Sequence, residues 1–582
     1  MAEKLLKEYL YGDLLAPASG YSTDFAMGMT YFLSFEAMLT AHLAFGMLGE
    51  MDDNVIHSPH ILLEAITKSS EKVVVFCNKG GIAVPSTIRK VFSLMEHYIF
   101  EVFDKTDNKA NFHPKLWLIR EVNDDDKKDA QLKLIVTSRN LAYTDTIDCV
   151  ACLTGKIGPS SVNNEKHEPL ASFVKEVVKE SNIGGEQKQS VLKLTSDLKR
   201  VEKFDVEAPF EDYDFFPYLF KKDFGLPALK EYLVGTESII VSPFIDKNMI
   251  RILNPENKCQ RRLITRKEYV DKEVFDKFSS KGGSFVTLDD LASRGMDLHA
   301  KMYHVWYGRG SQYLFLGSAN ATTSAFERNG EFLLRLKYKH GNTRSGQFLS
   351  NFYEEGSSDN KFMPLTEPMD NTSPIIKWDA AESAMKDLMC ADDLKACITH
   401  HRNGEYSIVV SSKIKELTND VYIAPLQKKD LMQKWTGKVS FNELKTDELS
   451  EFYILFAKSP DGTEHKAIIK IATTGMPSER DQEIYKGIIK TQKDFFRFIE
   501  LMLTDTPLEY ISSKILLNNK GEARSSNSNS VLYPSLYEKM LRIAATNPAQ
   551  IKEIGKLVGR LGDEVVPQTF MKIYKQFVSA LN

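Results

Sequence analysis

The most constraining feature of this sequence is an internal repeat. Strand-like and helical runs follow one another between residues 21 and 155, and a similar order recurs between residues 229 and 339. The strand-like runs, such as Val73–Cys77 and Ser238–Ser242, are short and rich in β-branched and aromatic residues. Their alternation with helical runs is typical of a mixed sheet flanked by helices. The repeat therefore predicts two copies of one α/β module.

The chain has 582 residues, enough for roughly three to four domains. Changes in composition and periodicity divide it further. The predicted regions are a first module at 1–160, a lysine-rich helical connector at 161–228, a second module at 229–375, a small mainly β domain at 376–476 and a C-terminal helical domain at 477–582. Within the last region, residues 537–581 suggest three helices.

Charge and cysteine content exclude several classes of protein. The formal net charge of -4 is nearly balanced for this length, so any site for a polyanion must be local. The six cysteines do not have the spacing of a secreted disulfide framework, and the N-terminus does not resemble a signal peptide. No stretch reads as a membrane span. We expect a cytoplasmic protein with no membrane association.

Two polar constellations coincide with the repeat. Of the twelve histidines, two have a lysine two positions later, and each pair is followed within about 25 residues by Ser-x-Asn at the end of a strand-like run. An acidic residue comes soon after each Ser-x-Asn. The sets comprise His113, Lys115, Ser138, Asn140 and Asp148 in the first copy and His299, Lys301, Ser318, Asn320 and Glu331 in the second.

The spacing within each set has a structural reading. Side chains at positions i and i+2 of a strand lie on one face, so His113 and Lys115 are expected to point the same way, as are Ser138 and Asn140. If the modules pack about a pseudo-twofold axis, the second set faces the first across a shared cleft. One imidazole can then attack phosphorus while the other protonates the leaving oxygen. The lysines and asparagines would stabilise the phosphoryl oxygens, and the acids would fix the histidine tautomers. The pattern predicts cleavage of phosphodiesters without a metal ion or another cofactor.

His-x-Lys followed by Gly-Ser-x-Asn, present twice, resembles the phospholipase D superfamily over roughly residues 20–340. The second copy, with Gly317-Ser-Ala-Asn320, is the closer fit. Both copies depart from the family at the aspartate that follows the lysine after four residues, where this chain has Arg120 and Trp306. In this respect the chain is similar to tyrosyl-DNA phosphodiesterases and nuclease-like branches. The resemblance therefore implies DNA or RNA as the substrate.

The resemblance also implies that His113 is the nucleophile and His299 the general acid. By analogy with stand-alone enzymes of prokaryotic restriction and antiphage loci, we expect a nuclease of antiphage defence. The C-terminal region is then a candidate binding surface for a helicase or another defence-system protein. The alternatives are a phospholipase D-type lipid hydrolase or transferase and a non-catalytic nucleic-acid-binding scaffold. Since both sets lie in one chain, a monomer can be competent, although a homo-oligomer is also compatible with the sequence.

The densest basic stretch contains Arg261, Arg262 and Arg266, which are candidate substrate-binding residues that could line a groove for phosphates. The alternative is a solvated strand edge. Cys149 and Cys152 have CxxC spacing, but positions i and i+3 of a strand face opposite sides and no second pair exists. We therefore predict no metal site.

Overall fold

The structure is a computed structural model. It describes residues 11–46, 63, 65–67, 69, 71–254, 260–289, 296–308, 311–339, 348–350, 352–353, 360–369, 379–503, 532–546, 548–561 and 565–581. The predicted boundary between residues 375 and 376 lies outside these ranges.

In the part of the chain that the structure describes, the first sheet has six strands. Its central strand, Tyr21–Thr30, pairs in parallel with Val73–Asn78 and antiparallel with Leu116–Asn123. Across the sheet the order is Ile99–Val102, Val73–Asn78, Tyr21–Thr30, Leu116–Asn123, Ala130–Thr137 and Val150–Lys156. Alternate side chains face two cores: Val73 and Val75 pack on one side, whereas Val74 and Phe76 pack on the other. The sheet is therefore buried on both faces.

The second sheet repeats this pattern and, within the described ranges, extends it to nine strands. Its central strand, Glu237–Val241, pairs in parallel with Gln260–Ile264 and antiparallel with Met302–Gly308. Across the sheet the order is Phe362–Leu365, Gly283–Leu288, Gln260–Ile264, Glu237–Val241, Met302–Gly308, Ser311–Gly317, Glu331–Tyr338, Phe210–Leu219 and Lys222–Asp223. Both sheets mix parallel and antiparallel pairing, so the predicted α/β fold class is confirmed.

The connector differs from the prediction. Strand Phe210–Leu219 falls within the expected connector of 161–228, yet it pairs with Glu331–Tyr338 of the second sheet. The second module thus begins before residue 229. The helices Glu168–Glu180 and Gly185–Arg200 precede this strand, and they pack into the core between the two sheets.

The two halves meet through reciprocal contacts. Thr146–Ile147 of the first half pairs in parallel with Asp297–Leu298 of the second. In return, Phe112 of the first half forms a parallel bridge with Gly330 of the second. Contacts in which each half uses the same position against the other are those of a twofold arrangement. They join the halves beside both histidine motifs.

A small mainly β domain follows, as predicted. It contains helix Ala380–Met389 and two four-stranded sheets around its own core. The strand orders are Lys438–Leu444, Tyr406–Ser411, Lys395–His400 and Ala472–Thr474 in one sheet, and Gln433–Lys434, Val421–Pro425, Phe452–Lys458 and Glu464–Lys470 in the other. The domain docks on the first module through an antiparallel bridge between Ile82 and Ile468.

The C-terminal helices share a core with the first module. Residues of helix Phe35–Gly46 and of the C-terminal helices belong to one buried apolar cluster. The C-terminal helices are Arg480–Ile488, Gln492–Met502, Leu532–Thr546, Pro548–Leu561 and Gln568–Leu581. The last three confirm the three helices expected over 537–581. Among the described residues, no helix is long and apolar enough to cross a membrane.

The remaining helical elements of the described residues are short or lie within the modules and the β domain. The α-helices are Tyr11–Leu15, Lys247–Leu253, Lys272–Ser279 and Thr323–Glu327, and the 3-10 helices are Lys90–His97, Glu165–His167, Pro227–Leu233, Lys267–Tyr269, Leu426–Leu431 and Thr446–Glu448. Asp246 and Asp271 begin two of these α-helices, because each carboxylate accepts a backbone N–H of the first turn at 2.7 Å.

A buried ion pair ties the C-terminal helices to the first module. Arg480 Nη1 lies 2.7 Å from Glu96 Oε1, and both side chains are 3% exposed. We expect Arg480→Ala to lower the free energy of unfolding by about 3–5 kcal/mol, because it leaves the Glu96 carboxylate buried without its counter-charge. Urea titration followed by tryptophan fluorescence would measure this. Lys434→Ala, which breaks the exposed pair with Asp420, is the control and should cost less than about 1 kcal/mol. Equal effects of the two substitutions would contradict the prediction.

Candidate active site

The sequence predicts that the His-x-Lys segments lie within strands. In the structure they lie just before the strands. His113 and Lys115 precede strand Leu116–Asn123, and His299 and Lys301 precede Met302–Gly308. Lys115 Nζ donates a hydrogen bond to His113 O at 2.9 Å, and Lys301 Nζ donates to His299 O at 2.5 Å. Each lysine side chain thus folds back along its own main chain toward the histidine, which places imidazole and ammonium close together.

Backbone contacts with the opposite half hold both histidines. His113 N donates to Gly330 O at 2.8 Å, and His299 N donates to Ile147 O at 2.9 Å. The accepting residue in each case immediately precedes the acid of the other half. The bridges that join the two modules therefore also position the site.

The motif serines are buried and hold the acids. Ser138 Oγ donates to Asp148 Oδ1 at 2.7 Å, and Ser318 Oγ donates to Glu331 Oε2. Each serine hydroxyl also accepts the backbone N–H of the residue after the acid at 2.9 Å. The serines therefore position the acids. This differs from the sequence prediction, in which the serine side chains point into the cleft together with the asparagines.

Gly317, which precedes the second motif serine, is required by close packing. A Cβ atom on this residue would lie 2.3 Å from Phe332 O. Glycine allows the end of one strand to approach the next this closely. Residue 317 therefore has a structural reason to be glycine.

The acids pair with histidines across the two halves. His113 Nδ1 lies 2.9 Å from Glu331 Oε2, and His299 Nδ1 lies 2.8 Å from Asp148 Oδ1. Because Nδ1 of each ring faces an acid, Nε2 is the nitrogen available to a ligand. The backbone of Ser318 also interacts with the His113 ring, whereas Nε2 of His299 has no hydrogen-bond partner among the described residues. The side chains are 13% and 17% exposed, so both rings can be reached from solvent.

Electrostatic effects show that the two sets share one site. Burial lowers the pKa of His113 well below its usual range, and the charges of Lys115 and Lys301 lower it further. The pKa of His299 falls to about 4, first through burial and then through Lys301, with a smaller contribution from Lys115. Burial lowers the pKa of Lys301 to about 8, and that of Lys115 falls well below its usual range. Since each lysine acts on the histidine of the other half, the clusters face a common space.

The two acids differ in protonation. Burial acts to raise the pKa of Asp148, but hydrogen bonds from His299, Thr146 and Ser138 hold it below its usual range. In Glu331, burial raises the pKa to about 8 despite the opposing charge of Lys115. Asp148 is therefore ionised at neutral pH, whereas the Glu331 carboxyl group is protonated.

The asparagines and one further aromatic residue complete the surroundings. Asn140 Oδ1 accepts the backbone N–H of Phe32 at 3.3 Å, which leaves its amide hydrogens for a ligand. Asn320 is buried, and its Oδ1 atom has no hydrogen-bond partner among the described residues. The Tyr31 ring lies 5.1 Å from the His113 ring and 5.7 Å from Lys115 Nζ. Tyr31 was not predicted; it directly follows the central strand of the first sheet, and that position was the available signal.

The three candidate arginines have different environments. Arg261 is 1% exposed and donates to Asn254 Oδ1 at 2.7 Å, so its prediction as a substrate-binding residue is wrong. Strand alternation turns the next residue, Arg262, outward to solvent. Arg266 follows the strand at the end near the site, where Nη2 donates to Leu298 O at 3.0 Å and pairs with Asp297 at 2.6 Å. Binding of substrate by Arg262 and Arg266 stays a prediction.

The structure also shows the surroundings of Arg120, which stands where the phospholipase D motif has an aspartate, and of the two cysteines with CxxC spacing. Arg120 pairs with Asp24 at 2.6 Å and with Asp197 at 3.0 Å, in the first sheet and its flanking helix. Cys149 and Cys152 pack into different apolar clusters, as expected for opposite faces. In the described ranges, no group of three or more His, Cys, Asp or Glu side chains could hold a metal ion.

Among known proteins, similarity was found only to solved structures. No family model matches the chain, and no curated protein matches it. The chain is similar to phosphatidylserine synthase from Haemophilus influenzae Rd KW20, with 11% identity and a TM-score of 0.37 over 61% of this chain and 84% of that one. It is also similar to yeast tyrosyl-DNA phosphodiesterase, with 13% identity and a TM-score of 0.40 over 59% of this chain and 89% of that one.

Proposed function

We propose that this chain is a phosphodiesterase that cleaves DNA or RNA through a phosphohistidine intermediate. The observation that carries the proposal is the pair of imidazoles whose Nδ1 atoms are each bound to an acid of the opposite half, at 2.9 and 2.8 Å. This arrangement leaves two Nε2 atoms and two lysines around one space. Two imidazoles can supply the nucleophile and the general acid that displacement at phosphorus requires.

In the first step, ionised Glu331 accepts Nδ1–H of His113, His113 Nε2 forms a bond to phosphorus, and the bond from phosphorus to the leaving oxygen breaks. His299 Nε2 transfers its proton to that oxygen. The anionic phosphodiester favours the protonated form of His299, whose pKa is about 4 in the ligand-free site. Lys115 and Lys301 stabilise the charge on the non-bridging oxygens, and the asparagine amides donate hydrogen bonds to them.

In the second step, neutral His299 accepts a proton from water, whose oxygen forms a bond to phosphorus. The bond between phosphorus and His113 Nε2 then breaks, which releases the phosphate product and restores the starting protonation states. Asp148 stays ionised throughout and stabilises the His299 imidazolium whenever it forms. The same residues thus serve both steps in opposite directions.

A nucleic-acid substrate is supported by the residues that replace the family's aspartate, Arg120 and Trp306, and by the exposed or half-buried cations Arg262 and Arg266 of the second half. We further propose a role in antiphage defence, with residues 376–582 as the binding region for a helicase or another partner. Support for this part is the size of that region and its lack of a His-x-Lys motif.

The direct test is cleavage of end-labelled single- and double-stranded DNA and RNA in the presence of excess chelator. We expect cleavage of at least one nucleic acid to survive chelation, since lysines supply the positive charge at phosphorus. His113→Ala, purified identically, is the control for contaminating nucleases and should give none. Strict dependence on magnesium, or cleavage that persists in His113→Ala, would contradict the proposal.

A further inference from the structure

The loops that follow the two central strands are built alike. In the first half, Thr30 Oγ1 donates to Phe32 O at 2.8 Å; in the second, Ser242 Oγ donates to Phe244 O at 2.6 Å. The residue after each motif asparagine donates its backbone N–H to the same hydroxyl, at 3.0 and 2.9 Å. Phe32 and Phe244 therefore occupy equivalent positions, and each loop is tied to the segment that bears the motif asparagine.

Both phenylalanines reach solvent beside the site. Phe32 is 37% exposed, and its backbone N–H donates to the side chain of Asn140. Phe244 is half-buried, with the Arg266 guanidinium 4.8 Å from its ring centre and the Tyr269 ring 5.2 Å away. A single exposed phenylalanine would need no explanation. Phe32 and Phe244, however, occupy matched positions next to the asparagines of the proposed phosphate site, and this pairing calls for an explanation.

The substrate chemistry supplies that explanation. A phosphodiester within a strand has one nucleoside on each side, and every base offers a flat face that can stack on an aromatic ring. A twofold arrangement around the phosphorus gives each side an equivalent ring. Arg266, which pairs with Asp297, lies over the Phe244 ring and places a guanidinium beside it.

We propose that Phe32 and Phe244 are paired stacking platforms for the two unpaired bases that flank the scissile phosphate. The inference rests on the proposed function and narrows its substrate class to single-stranded nucleic acid. Stacking on an aromatic face tolerates every base, so cleavage is independent of sequence. Bases of an intact duplex are already stacked and paired, so duplex is a poor substrate.

The test compares Phe32→Ala, Phe244→Ala and the double variant with the wild-type protein. The probe is an end-labelled single strand, of DNA or RNA according to which the wild type cleaves, and cleavage at one chosen phosphate is followed by gel electrophoresis. A second strand has abasic residues on both sides of that phosphate. Tyr232→Ala removes an aromatic residue that is 58% exposed and precedes the opposite end of the second central strand, so it is the matched control. Thermal unfolding of each variant checks its fold.

We expect each phenylalanine variant to lose about 5- to 150-fold in kcat/KM on the normal strand. On the abasic strand, the variants and the wild type should be equally slow, and Tyr232→Ala should match the wild type on both strands. Folded phenylalanine variants with unchanged kcat/KM on the normal strand would overturn the inference and leave the proposed function standing. Equal losses on normal and abasic strands would also overturn it. A wild-type protein that cleaves no nucleic acid would overturn both.

Discussion

His113→Ala is expected to lower kcat by at least about 10⁴-fold on any phosphodiester, because the substitution removes the proposed nucleophile. The loss should be the same for an oligonucleotide and for bis(p-nitrophenyl) phosphate. A good leaving group cannot replace an attacking nitrogen. Steady-state kinetics on the two substrates would measure this, with thermal unfolding as the check on folding.

His299→Ala is the matched variant that separates the two roles. On bis(p-nitrophenyl) phosphate, p-nitrophenolate leaves without being protonated, so the first step should still proceed. The second step lacks its general base. The expected result is a burst of one equivalent of p-nitrophenolate per protein and a trapped phosphohistidine at residue 113. A burst in His113→Ala and none in His299→Ala would reverse the assignment of the two histidines.

The second large effect is expected at the two acids, which should respond differently to neutralisation. Asp148→Asn should lower kcat/KM by on the order of 10³- to 10⁴-fold at every pH, because it removes a carboxylate that is always ionised beside His299. Glu331→Gln should cost less than about tenfold at pH 6, since wild-type Glu331, with its pKa raised to about 8, is already neutral there.

The pH dependence of kcat, measured at saturating substrate, gives the sign of the Glu331 effect. Below about pH 8 the protonated Glu331 donates to His113 Nδ1, so the ring proton sits on Nε2 and that nitrogen cannot attack. As pH rises through about 8, Glu331 ionises, accepts Nδ1–H and frees the Nε2 lone pair. Because the bound phosphodiester favours protonated His299, wild-type kcat should therefore rise toward pH 8, and Glu331→Gln should lack this rise. A rise that persists in the variant would assign the titration to another group.

The residues brought together at the site could be predicted from local sequence, but their pairing could not. His-x-Lys and Ser-x-Asn are short patterns at strand ends, and their duplication shows that two halves contribute. The pairing of His113 with Glu331 spans 218 residues and that of His299 with Asp148 spans 151. Within either half, an acid of the same half was an equally suitable partner. The choice depends on how the modules dock, which local patterns do not contain.

Two other differences have similar causes. The basic run around Arg261 was read as one surface, whereas strand alternation buries Arg261 and exposes Arg262. The helices after residue 477 were predicted to be helical, and they are. Their apolar faces are completed by helix Phe35–Gly46, more than 400 residues earlier in the chain, and helical periodicity does not identify such a distant partner.

The exchange of acids between the halves has a consequence for a chain that is still being synthesised. A ribosome that has translated the first half has made His113 and Lys115, but the carboxylate that orients the ring emerges only with Glu331. His299 likewise has no acid until its segment docks on Ile147. In unfinished or misassembled chains, each imidazole that has been made thus lacks its aligning acid. The proposed nuclease would in this way be inert until its halves have closed on each other.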